Sequence, residues 1–205
     1  MHPKVLGPRG WTIVRKLVAA GRLEGFALAG GTGLAVQLGH RISDDLDFFG
    51  TGSFDPEATV EKLAAIGRVR VQSRAAGTLH VTLDRLRVSF LTAQAPLLFP
   101  GTPYRGLVLA DPRDIAVMKV IAIGGRGSRK DFVDLFFLFR AGIPLDAIFA
   151  MTRRRFASID YNEYHLMRAL AYFEDAESEP MPKLIRGVRW NEIKSTVIAE
   201  VRRLS

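Results

Sequence analysis

Cysteine is absent from the 205 residues. That excludes disulfides, thiolate metal ligands and a cysteine nucleophile, while leaving the compartment open. Long apolar runs are missing too, and nothing reaches the roughly 20 residues of a membrane span. The opening Met1-His2-Pro3-Lys4, followed by Trp11-Thr12-Ile13-Val14-Arg15-Lys16, lacks the apolar stretch and small-residue cleavage site of a signal peptide. The expectation is a soluble cytoplasmic protein with no membrane contact. Histidines are scarce and scattered, at His2, His40, His80 and His165, and no two have zinc-ligand spacing. Gly-x-Ser-x-Gly is missing, and no Ser/His/Asp order is recognisable. There is no internal repeat and no low-complexity tract.

Hydrophobic residues make up 48% of the chain, enough for a sizeable core. The formal net charge is +8 and the isoelectric point about 10.2. A basic surface attracts polyanions such as nucleic acid or nucleotides. Arg153-Arg154-Arg155, with Arg168, Lys183, Arg186 and Arg189, concentrates this charge in the C-terminal half. The pattern fits an RNA-facing patch, or simply a solvated face.

Hydrophobic periodicity predicts an amphipathic helix over residues 9–20 and a short buried strand over 26–29. Thr32 is expected to N-cap a helix ending near Leu38, where Gly39 stops it. A strand follows at 46–49, then a helix over 56–66 capped by Asp55 with Pro56 at its first position. Further strands are expected at 69–72, 80–83 and 86–91, the last two joined by a turn at Asp84-Arg85. Pro96, Pro100 and Pro103 mark a loop. From Leu109 onward helices dominate: 112–123, broken by Gly124-Gly125-Arg126-Gly127, then 129–140 capped by Ser128, 145–154, 162–174 and 191–204. The outline is α+β, with an α/β core and leading helix over residues 1–108 and a helical region over 109–205, in one compact unit or two.

The chemistry concentrates in a strand, a Gly30-Gly31-Thr32 turn, a short helix, and a strand carrying Asp45 and Asp47. Two glycines let the backbone approach a phosphate, and helix N-terminal N–H groups favour an anion. The Thr32 hydroxyl can donate to a phosphate oxygen. Residues two apart on a strand share a face, so Asp45 and Asp47 lie together while Leu46 and Phe48 point into the core. Paired carboxylates repel unless a cation sits between them. Mg²⁺ suits one or two carboxylates plus substrate phosphates, and two such ions could support in-line displacement at phosphorus. Of the three neighbouring aspartates, one is expected to face water or cap a turn; Asp44 adds that ambiguity.

The segment FALAGGTGLAVQLGHRISDDLDFF, residues 26–49, resembles the first motif of the AbiEii/AbiGii toxin family of nucleotidyltransferases, and DPRDIAVMKVIAIGGRGSRKDFVDLFFLF, from Asp111 to Phe139, resembles a later one. The resemblance implies a polymerase-β-like nucleotidyltransferase core. It implies Mg²⁺-dependent transfer of a nucleoside monophosphate from an NTP to an RNA (tRNA-like) or protein hydroxyl, and a toxin with an antitoxin partner. Gly30, Gly31 and Thr32 would hold the triphosphate, Asp45 and Asp47 the metal. Lys119 would offset phosphate charge, Arg126 and Lys130 would assist binding, and Asp131 is the acidic residue of the second motif.

The residues themselves also permit plainer roles. Ile115, Met118 and Ala122 can face the core and leave Lys119 in solvent. Asp131, three after Ser128, has capping-box spacing, and Asp134 shares its face or pairs with Lys130. His40-Arg41 suits a helix C-terminus or a phosphate. The resemblance further leads one to expect a third carboxylate on the strand at 86–91, whose polar face offers only Arg87 and Ser89. Asp84, Asp44 or Asp131 could substitute, or the chain could be a catalytically lapsed module that binds nucleotide, RNA or an antitoxin.

Overall fold

A computed structural model describes residues 1–159 and 161–204. After a 3-10 turn at Pro3–Val5 come α1 (Pro8–Ala19), β1 (Phe26–Leu28), α2 (Gly30–Leu38), β2 (Leu46–Gly50), α3 (Pro56–Ala64), β3 (Val69–Ala75), β4 (Thr78–Leu83), β5 (Leu86–Thr92), β6 (Thr102–Tyr104) and β7 (Leu107–Leu109). The helical half follows: α4 (Pro112–Arg126), α5 (Arg129–Arg140), α6 (Leu145–Arg155), α7 (Glu163–Leu170), α8 (Glu174–Ser178) and α9 (Trp190–Leu204). The strands form one mixed sheet in the order β3-β4-β5-β2-β1-β7-β6, with β2 parallel to β5 and β1 parallel to β7.

Alternation along the strands decides which face is buried. Leu46 and Phe48 of β2, Val88 and Phe90 of β5, and Leu79, Val81 and Leu83 of β4 join Trp11, Val14 and Leu17 of α1 and Leu63 of α3 in one apolar cluster. The opposite face is covered only in part. There Ala27 of β1 and Phe49 of β2 pack against a second cluster built from α4, α5, α6, α7 and α9. Beyond Phe49 on that face come Asp47 and, just ahead of β2, Asp45, so the two aspartates emerge at the margin of the helical half. Asp55 and Asp111 accept hydrogen bonds from the Glu57 and Arg113 amides at 2.9 and 2.8 Å, each capping a helix with proline in its first turn. Asp84 (φ 46°) and Arg85 (φ 70°) make the expected β4–β5 turn.

Four local expectations give way to tertiary structure. The proline-marked loop holds the β6–β7 hairpin, whose three-residue strands are too short to show alternation; Pro103 sits on edge strand β6, where a missing N–H costs little. Helix α4 runs through Gly124-Gly125 to Arg126, and Gly124 lets α7 come close, since a Cβ there would collide with Leu166. The segment 162–174 is two helices, parted where Phe173 turns in against Phe132, with ring centroids 4.8 Å apart, and against Trp190 at 6.0 Å. Finally, α2 begins at Gly30, which places Thr32 inside the helix instead of at its cap.

Candidate active site

A cleft of about 440 Å³ lies where the open sheet face meets the helical half. It is lined by Gly30, Gly31, Asp44, Asp45, Asp47, Lys119, Lys130 and Asp131, together with Arg41, Arg87, Pro182 and Lys183. Thr32 and Arg126 do not line it. Arg126, 82% exposed, contacts Glu179 at 3.3 Å in an adjoining hollow that shares Lys130 and Asp131 with the cleft.

Gly30 has φ +56°, and a Cβ there would stand 2.9 Å from Asp47 Oδ2. A side chain would therefore crowd the carboxylate as well as strain the backbone. The first amides of α2 have no acceptor within the helix, and Gly30 and Gly31 line the cleft together with Asp47. Thr32 is turned away from that space. Its hydroxyl donates to the Asp45 carbonyl and lies 2.8 Å from Ser43 Oγ, which makes it a tie between α2 and the approach to β2.

Asp45, the residue before β2, and Asp47 both line the cleft, but differ in partners. Arg87 grips Asp45 with Nε at 2.8 Å and Nη2 at 2.9 Å, while its own side chain is 64% exposed. The Asp47 carboxylate has no hydrogen-bond or ion-pair partner among the described residues. Its registered neighbour on β5 is Ser89, and Asp44 faces water.

Behind the cleft lies a buried ion cluster. Asp134 is wholly buried and accepts from Arg41 Nε at 2.6 Å and Nη2 at 2.9 Å; His40 Nε2 lies 2.7 Å from it, and so does Lys119 Nζ. Lys119 also reaches Asp131 at 2.7 Å, and Ser128 Oγ donates to the other Asp131 oxygen at 2.5 Å. Burial by itself would neutralise these groups. It pushes the Asp134 carboxyl up, yet the Lys119 and Arg41 charges and the Arg41 and His40 hydrogen bonds hold it well below the usual carboxylate range. Burial likewise pushes the Lys119 ammonium down, and the charges of Asp134 and Asp131 overcome this and raise it.

Several expectations are corrected by this cluster. Lys119 is buried and not in solvent, because α5 brings two carboxylates over it. Asp134 pairs with Arg41, His40 and Lys119 instead of Lys130, since it faces inward. His40 and Arg41 serve Asp134 instead of a helix terminus, and Arg41 also lines the cleft. Ser128 makes no capping bond to backbone. Asp84 is committed to Lys16 at 2.7 Å and the Arg68 amide at 2.9 Å. The arginine run is divided: Arg155 is buried, 3.6 Å from Asp114, and Arg153 pairs with Glu163 at 2.8 Å.

One part of the cleft is not placed there by the sequence, where Lys183 figures only in the basic C-terminal half. The segment around residues 182–186 runs along the edge of residues 40–42: the Ile42 amide donates to the Lys183 carbonyl at 2.8 Å, and the Ile185 amide to the His40 carbonyl at 2.9 Å. This strap carries Pro182 and Lys183 to the cleft. The ammonium groups of Lys130 and Lys183 have no partner among the described residues, so they are the uncommitted cations at its mouth. Gly31 links cleft and cluster, because a Cβ there would collide with Arg41 Nη2. Gly31→Ala is expected to lose about 1–3 kcal/mol of stability, the usual scale of overpacking; urea unfolding would measure it, and an unchanged midpoint would refute the tight fit.

A family model described as "Nucleotidyl transferase AbiEii toxin, Type IV TA system" matches residues 12–101. A curated relative from Aquifex aeolicus (strain VF5), described as "Uncharacterized protein aq_aa25", is 38% identical over 173 residues, covering 81% of this chain and 82% of the relative. Two solved Helicobacter pylori structures share the fold. JHP933 superposes with a TM-score of 0.58 at 16% identity, covering 97% of this chain and 93% of that one. A candidate nucleotidyltransferase superposes with a TM-score of 0.55 at 13% identity, covering 97% and 95%. Among the described residues no helix is long and apolar enough to cross a membrane.

Proposed function

The chain belongs to the AbiEii nucleotidyltransferase toxin family, and from that premise we propose that it moves a nucleoside monophosphate from an NTP to a hydroxyl of RNA, tRNA-like in kind, or of protein, with Mg²⁺, as the toxin of a toxin–antitoxin pair. The observation that carries this reading is the juxtaposition of Asp45 and Asp47, on one strand face, with the Gly30–Gly31 start of α2. The residues present fit a hard divalent cation. Their donors are carboxylate oxygens, and one of the two carboxylates is without a partner. Two protein carboxylates, with substrate phosphates and water completing the shell, are the number Mg²⁺ accepts. Asp45 and Asp47 would hold the ion, which when bound supplies Lewis-acid polarisation of a phosphoryl oxygen and offsets charge.

The protein's own groups divide the remaining work. The α2 amides at Gly30 and Gly31 receive phosphate oxygens, Lys130 and Lys183 balance the triphosphate charge, and the Lys119–Asp131–Asp134–Arg41 cluster fixes the wall against which it lies. Arg87 occupies Asp45 as a cation would, and its exposure lets it leave. Arg87→Ala is accordingly expected to tighten Mn²⁺ binding several-fold in calorimetry without nucleotide; weaker binding would mean that Arg87 supports the ion.

The test is incubation with Mg²⁺, each α-labelled NTP in turn and total tRNA. Label on RNA supports the reading and reveals the base preference; label on protein redirects the acceptor. Ser89, registered beside Asp47 where a third carboxylate was expected, favours a second reading: a lapsed module that binds nucleotide, RNA or an antitoxin. No transfer under any condition, with NTP binding retained, would select it.

A further inference from the structure

A hydroxyl that attacks phosphorus must lose its proton as its oxygen forms the new bond. Of the carboxylates that line the cleft, Asp47 is assigned to the metal and Asp44 is exposed to water; the others are engaged. Asp45 is gripped by Arg87, Asp131 by Lys119 and Ser128, Asp84 by Lys16 and the Arg68 amide, and Asp134 is enclosed. Across the open sheet face, however, Asp47 is registered with Ser89 of β5, and Ser89 with His80 of β4. Registered neighbours point to the same face at strand spacings of about 4.8 Å, so the three stand in one row. His80 Nδ1 lies 3.0 Å from Ser89 Oγ. The next residue in the row is Ser73 of β3, and the parallel row runs Arg87, Thr82 and Arg70, with Asp45, just ahead of β2, ion-paired to Arg87. The charged groups on these two rows are therefore Asp47 on β2, Asp45 just ahead of it, Arg87 on β5 and Arg70 on β3, while Lys130 and Asp131 of the helical half line the hollows that hold Arg87.

We propose that Ser89 and His80 together take the proton of the acceptor hydroxyl, an inference that rests on the transferase reading. Ser89 Oγ accepts a hydrogen bond from that hydroxyl and donates its own hydrogen to His80 Nδ1. As the acceptor oxygen bonds to the α-phosphorus, its proton passes to Ser89 Oγ and the serine proton passes to Nδ1. The bond from the α-phosphorus to the bridging oxygen breaks, and its electron pair leaves on pyrophosphate. The imidazolium then returns its proton to water, so no co-reactant is needed. Serine alone could not do this, because an alkoxide is far too basic to persist near neutrality, whereas imidazole is a base of suitable strength. Ser89 touches the substrate; His80 acts through it as the positioning and proton-holding partner.

The experiment is the labelled-NTP and tRNA assay on wild type, His80→Gln, Ser89→Asp, the Ser89→Asp/His80→Gln double variant and Asp45→Ala/Asp47→Ala, with melting curves for each. His80→Gln is expected to lower kcat by about 10²–10⁴-fold, leave KM for the NTP unchanged and erase the acid limb of the pH–rate profile. Ser89→Asp places a carboxylate at the hydroxyl, so the double variant should recover activity that His80→Gln lacks. Wild-type kcat and pH profile in His80→Gln would overturn the proposal, as would a folded double variant no better than His80→Gln. Wild type that moves no label at all would end the transferase reading and this proposal with it. Label moved equally by wild type and His80→Gln would end this proposal alone.

Discussion

Asp134→Ala is expected to cost about 3–5 kcal/mol of folding stability, the scale for removing one partner of a buried ion pair. Asp134 is wholly buried and is the common partner of Arg41, Lys119 and His40. Without it two cations stay behind in a site that excludes water, with Asp131 alone to balance them. The loss comes from stranding those charges, not from any large net value of the cluster itself. Equilibrium urea unfolding reads the effect directly. A change under about 1 kcal/mol would mean that Arg41 and Lys119 reach solvent when released, and that the cleft wall is softer than its packing indicates.

The same cluster sets a pH dependence with a definite sign. Asp134 is held well below its ordinary value when folded. Its contribution to stability is therefore fully present above the unfolded carboxylate value of about 3.9 and is lost as pH falls below that, through the depressed folded value. Lys119 is raised when folded. Its contribution is complete below the unfolded lysine value of about 10.4 and is lost as pH rises through the raised one. These are two views of one set of ion pairs. Stability should be flat across neutrality in this respect, and Asp134→Ala should blunt the acid limb of the stability curve.

Asp45→Ala/Asp47→Ala should abolish nucleotide transfer, by about 10³-fold or more, since metal-assisted charge stabilisation at phosphorus amounts to several kcal/mol. It should leave the fold intact. Asp47 has no side-chain partner among the described residues, and Arg87, the partner of Asp45, is 64% exposed, so that their pair is weak. Two like charges on one strand face also repel, and their removal offsets the lost pair. The unfolding midpoint should stay within about 0.5 kcal/mol of wild type. Transfer that survives in the double variant would remove the two aspartates from the metal site, whereas loss of both fold and transfer would make them structural.

Local pattern determined much of this protein. Alternation put Asp45 and Asp47 on the face opposite Leu46 and Phe48, and the Asp84-Arg85 turn paired β4 with β5. Proline after aspartate started α3 and α4, because these features depend on neighbours in the chain. What the tertiary structure decided involves residues far apart in sequence. Lys119 read equally well as a solvent lysine until α5 brought Asp131 and Asp134 against it. Thr32 read as a phosphate donor until the approach to β2 supplied the Asp45 carbonyl. The strap at residues 182–186 and the row Asp47–Ser89–His80 join segments that share no local signal: strand register sets the row, and backbone hydrogen bonds lay the strap along residues 40–42. A carboxylate or an ammonium has one chemistry in a sequence and several in a fold, because burial and the choice of partner decide whether its charge is spent within the protein or left for a ligand.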